Sequence, residues 1–289
     1  SGAGGELIMD WKKSKNILIV ALVLTNIALF VMTGGLEKLY DREAAQDPLL
    51  HSVLSLLDGR GIGINAAVPT IPLSIKAVDL EYNEIEAQTL ADELLPEGYE
   101  VFDGLYVGHD GALLVVALER EIRFELPLEQ WQNAAPLDEA LAWQTGEAFL
   151  AAHGFDHEDR QRWDLSVEPD HVILEWRQSY ESYFLEEAFM RIRLTGDKVV
   201  SFERRWFNPP QPQENVHKVI QPSKALFLAA EEMAASESSE AHAVKIDSIE
   251  LGYQLETGSL TSGITSGEAS PYWRMRLSDG RVIFVEAVE

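Results

Sequence analysis

Phe189 to Glu203 reads FMRIRLTGDKVVSFE and Tyr272 to Glu286 reads YWRMRLSDGRVIFVE, and the two align without a gap at an offset of 83 residues. Arg191 and Arg193 match Arg274 and Arg276, Leu194 matches Leu277, and Lys198-Val199 matches Arg281-Val282. Each run alternates apolar and polar residues around a Gly-Asp or Asp-Gly pair, the pattern of an antiparallel hairpin with one covered face. Upstream of each lies a helical run opened by proline, Pro136-Leu-Asp-Glu-Ala-Leu141 and Pro222-Ser-Lys-Ala-Leu226, at a similar offset. The repeat predicts an α+β fold built from two copies of one unit, a helix followed by an antiparallel meander. The copies span residues 133–208 and 216–289, with Asn208-Pro-Pro-Gln-Pro-Gln213 as the linker between them.

Working outward, residues 36–132 form a further α+β region before the first copy. Leu49, Leu50, Val53, Leu54 and Leu57 recur at helical spacing, and Asp58-Gly59-Arg60-Gly61 ends that helix. Its glycines do not make a dinucleotide fingerprint, which needs a strand before and a helix after them. Ile75 to Tyr82 reads as a strand and Ile85 to Leu95 as a short helix. Tyr99 to Val107 and Ala112 to Leu126 read as two strands joined by Gly108-His109-Asp110-Gly111. Leu137, Ala140, Leu141, Ala148, Phe149 and Ala152 mark the expected buried face of the helix after Pro136. Ser259 to Ser270, rich in Ser, Thr and Gly, reads as a flexible insertion before the last hairpin.

The chain has 289 residues, 23 Lys plus Arg against 48 Asp plus Glu, and no Cys. A net charge of −25 excludes a nucleic-acid binder, whose affinity comes from clustered basic residues. The lack of Cys excludes disulfide scaffolds, thiolate zinc sites and cysteine nucleophiles. Charge is unevenly placed: residues 1–33 carry +1, so residues 34–289 carry −26.

That division coincides with an apolar run. Ile17 to Met32 reads ILIVALVLTNIALFVM without a charge, and residues 16–35 are long enough to cross a hydrocarbon core as a helix. The run is longer than the apolar region of a signal peptide, and Val31-Met32-Thr33-Gly34 is a poor cleavage site. Lys12, Lys13 and Lys15 on its N-terminal side predict that residues 1–15 are cytoplasmic and the bulk of the chain extracellular, with Trp11 at the membrane interface. Ser1 to Ile8 contain three glycines and no initiator; they read as non-native or upstream sequence before a start at Met9. Within the span, Ala21, Thr25 and Ala28 share a stripe beside Asn26. Small residues let helices approach, and an amide in hydrocarbon gains by bonding to a neighbour, so these four are the expected contacts with a partner helix.

Signals for catalysis are absent from the motifs. There is no Gly-x-Ser-x-Gly elbow, no His-Glu-x-x-His helix and no phosphate-binding loop. His153 and His157, with Asp156, Glu158 and Asp159, are the one cluster resembling a metal site, but Gly154 breaks the helical register, and a solvated helix end is the plainer reading. Acidic pairs such as Glu186-Glu187 and Glu231-Glu232 read as solvated faces. Trp163, Trp176, Trp206 and Trp273 read as sheet-packing residues. No catalytic residue, metal ligand or cofactor is expected.

Met9-Asp10-Trp11-Lys12-x-Ser14-Lys15, running into Ile17-Leu-Ile-Val with Asn26 in the span, resembles the start of YycI-type proteins. These are membrane-anchored auxiliary regulators of an essential cell-wall two-component system in Gram-positive bacteria. Pro271-Tyr-Trp-Arg-Met and Arg281-Val-Ile-Phe-Val-Glu-Ala resemble that family's final hairpin, with Glu286 where relatives often carry Asn. The resemblance implies a non-enzymatic regulator whose partners are a sensor histidine kinase of the YycG/WalK type and a second single-pass protein of the YycH type. It also implies tandem PepSY-like exterior modules. The alternative is an anchored extracellular PepSY-like module that binds a peptidase or a cell-wall ligand.

Overall fold

A computed structural model describes residues 49–69, 74–131, 138–235, 244–255 and 265–289. The fold is α+β. Its elements run α1 (Leu50–Gly59), β1 (Gly63–Ile64), β2 (Ser74–Glu81), α2 (Ala87–Leu94), β3 (Tyr99–Phe102), β4 (Leu105–Gly108), β5 (Leu113–Ala117), β6 (Glu121–Glu125), α3 (Glu139–Ala152), β7 (Arg160–Val167), β8 (Val172–Tyr180), β9 (Tyr183–Thr195), β10 (Lys198–Arg205), β11 (Gln211–Lys218), α4 (Pro222–Ala235), β12 (Lys245–Leu255), β13 (Ser266–Leu277) and β14 (Val282–Glu286).

All fourteen described strands join one sheet, whose main path is β11-β2-β13-β12-β9-β10-β6-β5-β4-β3. Pairing is antiparallel except where β12 meets β1 and β9. The hairpins behind the repeat are both present, β9 on β10 and β13 on β14. Helices α3 and α4, at Glu139–Ala152 and Pro222–Ala235, are displaced by the same 83 residues at both ends. The correspondence reaches one strand further than the quoted stretches. Glu175 of β8 lies across from Arg191, and Glu250 of β12 lies across from Arg274, so each copy carries a Glu–Arg pair at the equivalent register. Those pairs close at 2.9 Å and 3.1 Å.

The core is one cluster in which strand alternation puts Val172, Leu174 and Trp176 of β8 and Met190, Ile192 and Leu194 of β9 on the covered face. Helix α3 lies on this face so closely that a Cβ on Gly146 would stand 2.6 Å from Leu174 and 2.7 Å from Trp176. Where β12 joins β9, a Cβ on Gly252 would stand 2.5 Å from the Phe184 ring.

Several expectations need correction. Tyr99 to Val107 is a hairpin, because Asp103 and Gly104 take positive φ and fold the run back on itself. Ala112 to Leu126 is likewise a hairpin, turned by Leu118 and Glu119, also at positive φ although neither is a usual turn residue. The buried face of α3 is Ala142, Trp143, Gly146 and Leu150, whereas Ala140, Leu141, Ala148 and Ala152 are exposed. The proline-rich stretch is no free linker, since Gln211–Lys218 pairs with β2. Ser266 to Ser270, read as insertion, belong to β13. Trp176, Trp206 and Trp273 are fully buried.

Candidate functional site

Trp11, Lys12, Lys13, Lys15, Ala21, Thr25, Asn26 and Ala28 lie outside the described residues. Among the described residues no helix is long and apolar enough to cross a membrane, and no group of three or more His, Asp or Glu side chains is placed to hold a metal ion. His153 instead makes a 2.8 Å hydrogen bond with the Phe149 carbonyl, and His157 stacks on Trp206 at 5.5 Å.

The chemistry collects where β2, the α3–β7 connection and the end of β10 meet. Strand β10 puts Val200, Phe202 and Arg204 on the covered face, with Trp206 buried just past its end, and Glu203 and Arg205 on the other. Its alternation therefore carries the Arg204 guanidinium inside, 1% exposed. There Nη2 donates to Asn83 Oδ1 at 2.7 Å and sits 3.2 Å from His157 Nε2, while the guanidinium lies 5.1 Å from the Phe155 ring centre. Burial pulls its pKa down to about 10, with Asp159 acting in the opposite direction, so it is a cation at neutral pH. Its Nε and Nη1 are buried with no hydrogen-bond partner among the described residues. Burial first, and then the Arg204 charge, lower the pKa of His157; the neutral ring can accept at Nε2.

Asn83 is held in turn. Its backbone N–H donates to the Trp206 carbonyl at 2.9 Å and its Nδ2 to Asn208 Oδ1 at 3.1 Å. Gln178, wholly buried, donates to Asp159 Oδ2 and the Phe207 carbonyl and accepts from the Phe207 N–H, matching the polar groups of that segment as a strand would. Two cavities flank this arrangement and share Asn83 and His157. One, about 440 Å³, includes Tyr180, Trp206, Phe207 and Pro209; the other, about 230 Å³, includes Arg204, Phe155, Glu86 and Glu93.

On the opposite face a charged seam links the copies. Arg274 reaches Glu250 at 3.1 Å and Glu186 at 3.3 Å, Arg177 reaches Glu175 at 2.7 Å, and Arg191 bridges Glu175 and Glu203. Trp163 stacks near Arg177 and Arg274. The Glu186-Glu187 pair is thus not a solvated face. Burial raises the pKa of both, that of Glu187 to about 7, although Glu187 Oε1 accepts from the Leu255 N–H. Glu231 does lie on the surface, paired with Arg60.

Arg204, Asn83 and Gln178 were not flagged by any motif. The usable signal was Arg204 falling in phase with Val200, Phe202 and Trp206 on a period-2 strand.

No curated protein matches the chain. Among solved structures, an uncharacterized protein from Eubacterium rectale is similar with a TM-score of 0.48 at 8% identity, covering 79% of this chain and 85% of its own. The Bacillus megaterium YpeB C-terminal domain is similar with a TM-score of 0.35 at 13% identity, covering 71% of this chain and 94% of its own. The family model for YycI protein matches residues 117–288, which takes in both helix-and-meander copies, the seam, and Arg204, His157 and Gln178 of the site, but not Asn83. The chain belongs to the YycI family.

Proposed function

We propose that the chain is a non-enzymatic, membrane-anchored regulator that adjusts a sensor histidine kinase of the YycG/WalK type in a cell-wall-homeostasis two-component system. It acts together with a YycH-type partner. The observation that carries this reading is the family match over residues 117–288. Residues 16–35 are the single span, residues 1–15 are cytoplasmic, and the exterior modules, 133–208 and 216–289, face outward. A helix that packs differently against two kinase conformations shifts their balance by its differential binding free energy and by no more. The exterior modules hold that helix in place and add contacts of their own.

The test is kinase output in cells carrying chains with an altered span. Replacing residues 17–32 by an unrelated apolar helix should abolish regulation with the protein still at the membrane, and Asn26→Leu should weaken co-purification of the kinase. Full regulation by the span-replaced chain would refute the intramembrane contact. An exterior region found in the cytoplasm would refute the topology.

A further inference from the structure

Arg204 poses a problem that packing does not solve. A buried guanidinium needs a counter-charge or a full set of hydrogen bonds, because burial removes the water that would otherwise solvate it. Nη2 is bonded to Asn83, but Nε and Nη1 are not bonded, and among the described residues no carboxylate lies within ion-pairing distance of this side chain. Asp159 acts on it only across space, its Oδ2 being engaged by Gln178.

The smaller cavity opens beside this cation. Arg204 and Phe155 are its buried wall, Asn83 and His157 are half-buried, and Glu84, Glu86 and Glu93 are exposed. Charge therefore changes sign along the cavity, positive inside and negative outside. A simple anion meets three glutamates on entry, and a simple cation meets Arg204 at the end. A molecule with both charges satisfies both ends, its carboxylate inward and its ammonium outward. At about 230 Å³ the space is smaller than the 300 Å³ or so at which sites for drug-sized ligands begin, which restricts the occupant to a compact molecule.

We propose that the cavity between α2 and the end of α3 binds a small zwitterion, a free amino acid or dipeptide. Its carboxylate is held on the Arg204, Asn83 and His157 side and its ammonium among Glu84, Glu86 and Glu93. The proposal goes beyond kinase regulation and does not rest on it, since binding is measured on the purified chain alone.

The experiment is titration calorimetry on the full-length chain in a non-ionic detergent, with L-alanine, D-alanine, L-lysine and alanyl-alanine as probes. Propionate and propylamine, each carrying one charge, are the controls. At least one zwitterion should bind saturably at millimolar concentration or better, with both controls weaker by about tenfold or more, the worth of one charge-assisted hydrogen bond. Arg204→Met should abolish that binding and Glu93→Gln should weaken it several-fold while improving the relative standing of propionate. Glu93 is exposed, so the second variant reports even if the first fails to fold. The proposal is overturned if no zwitterion binds at millimolar concentration, if propionate or propylamine binds as tightly, or if Glu93→Gln leaves affinity and selectivity unchanged.

Discussion

Glu187→Gln should make the protein more stable at alkaline pH and leave it nearly unchanged at acidic pH. Burial raises the Glu187 carboxyl from an ordinary 4.5 to about 7 in the folded chain. The folded state therefore binds more protons than the unfolded state between these values. Stability from this group is fully present below pH 4.5 and is lost as pH rises through 7. Evaluated between pH 5 and pH 8, the loss is about 2.5 kcal/mol, on the order of 5–10 °C in Tm for a chain of this size. Glutamine keeps the acceptor for the Leu255 N–H and resembles the protonated acid, so the variant should lack this component of the pH dependence. The assay is thermal unfolding of wild-type and variant full-length chains across that pH range. The difference between their Tm values is the readout, because every other titrating group is common to both. A difference that stays flat from pH 5 to pH 8, or grows toward acid, would refute the buried, neutral carboxyl.

Three further outcomes follow from packing and charge. Gly252→Ala should destabilise by about 1–3 kcal/mol in chemical denaturation, because its Cβ would enter the Phe184 ring where β12 joins β9. Arg274→Ala should cost about 3 kcal/mol in the same assay, since it leaves Glu186 and Glu250 without their shared cation; Glu250→Gln, which retains an acceptor, should cost less. Asp138→Ala should cost about 1 kcal/mol, because the Asp138 carboxylate accepts from the Leu141 N–H and is the N-cap of α3.

What the sequence made legible was whatever repeats or alternates. Two hairpins and two helices at a constant offset follow directly from residue pattern, and so does the burial of Trp176 and Trp273 on strand faces. The hairpins turned by Leu118-Glu119 and Glu181-Ser182 were less legible because their positive-φ residues are not those that favour such angles. Here pairing on both sides fixes the turn: β5 with β6 leaves three residues to reverse the chain and β8 with β9 leaves two. The buried face of α3 was misjudged for a related reason. Both stripes of that helix contain alanine and leucine, and the choice falls to Gly146, the one position that allows the close approach to Trp176. The candidate site was hidden because its members come from residues 83, 157, 178 and 204, brought together by the sheet and the connections that leave it.

The seam and the net charge are two sides of one arrangement. Arg177, Arg191, Arg205 and Arg274 are each committed to glutamates on the sheet, so their positive charge is neutralised within it. The acidic surplus is carried by side chains outside these pairs, such as Glu84, Glu86 and Glu93, and faces outward. A surface of that sign keeps anionic polymers at a distance over about a Debye length, roughly 8 Å at physiological salt. Recognition of an anionic group then requires a cation withdrawn behind the acidic surface, and Arg204 occupies that position. The same alternation of β10 supplies both elements, with Arg205 turned to the seam through Glu121 and Arg204 to the cavity. A one-residue slip in the β9–β10 register would turn Arg204 outward and Arg205 inward, separating Arg204 from Asn83 and Arg205 from Glu121.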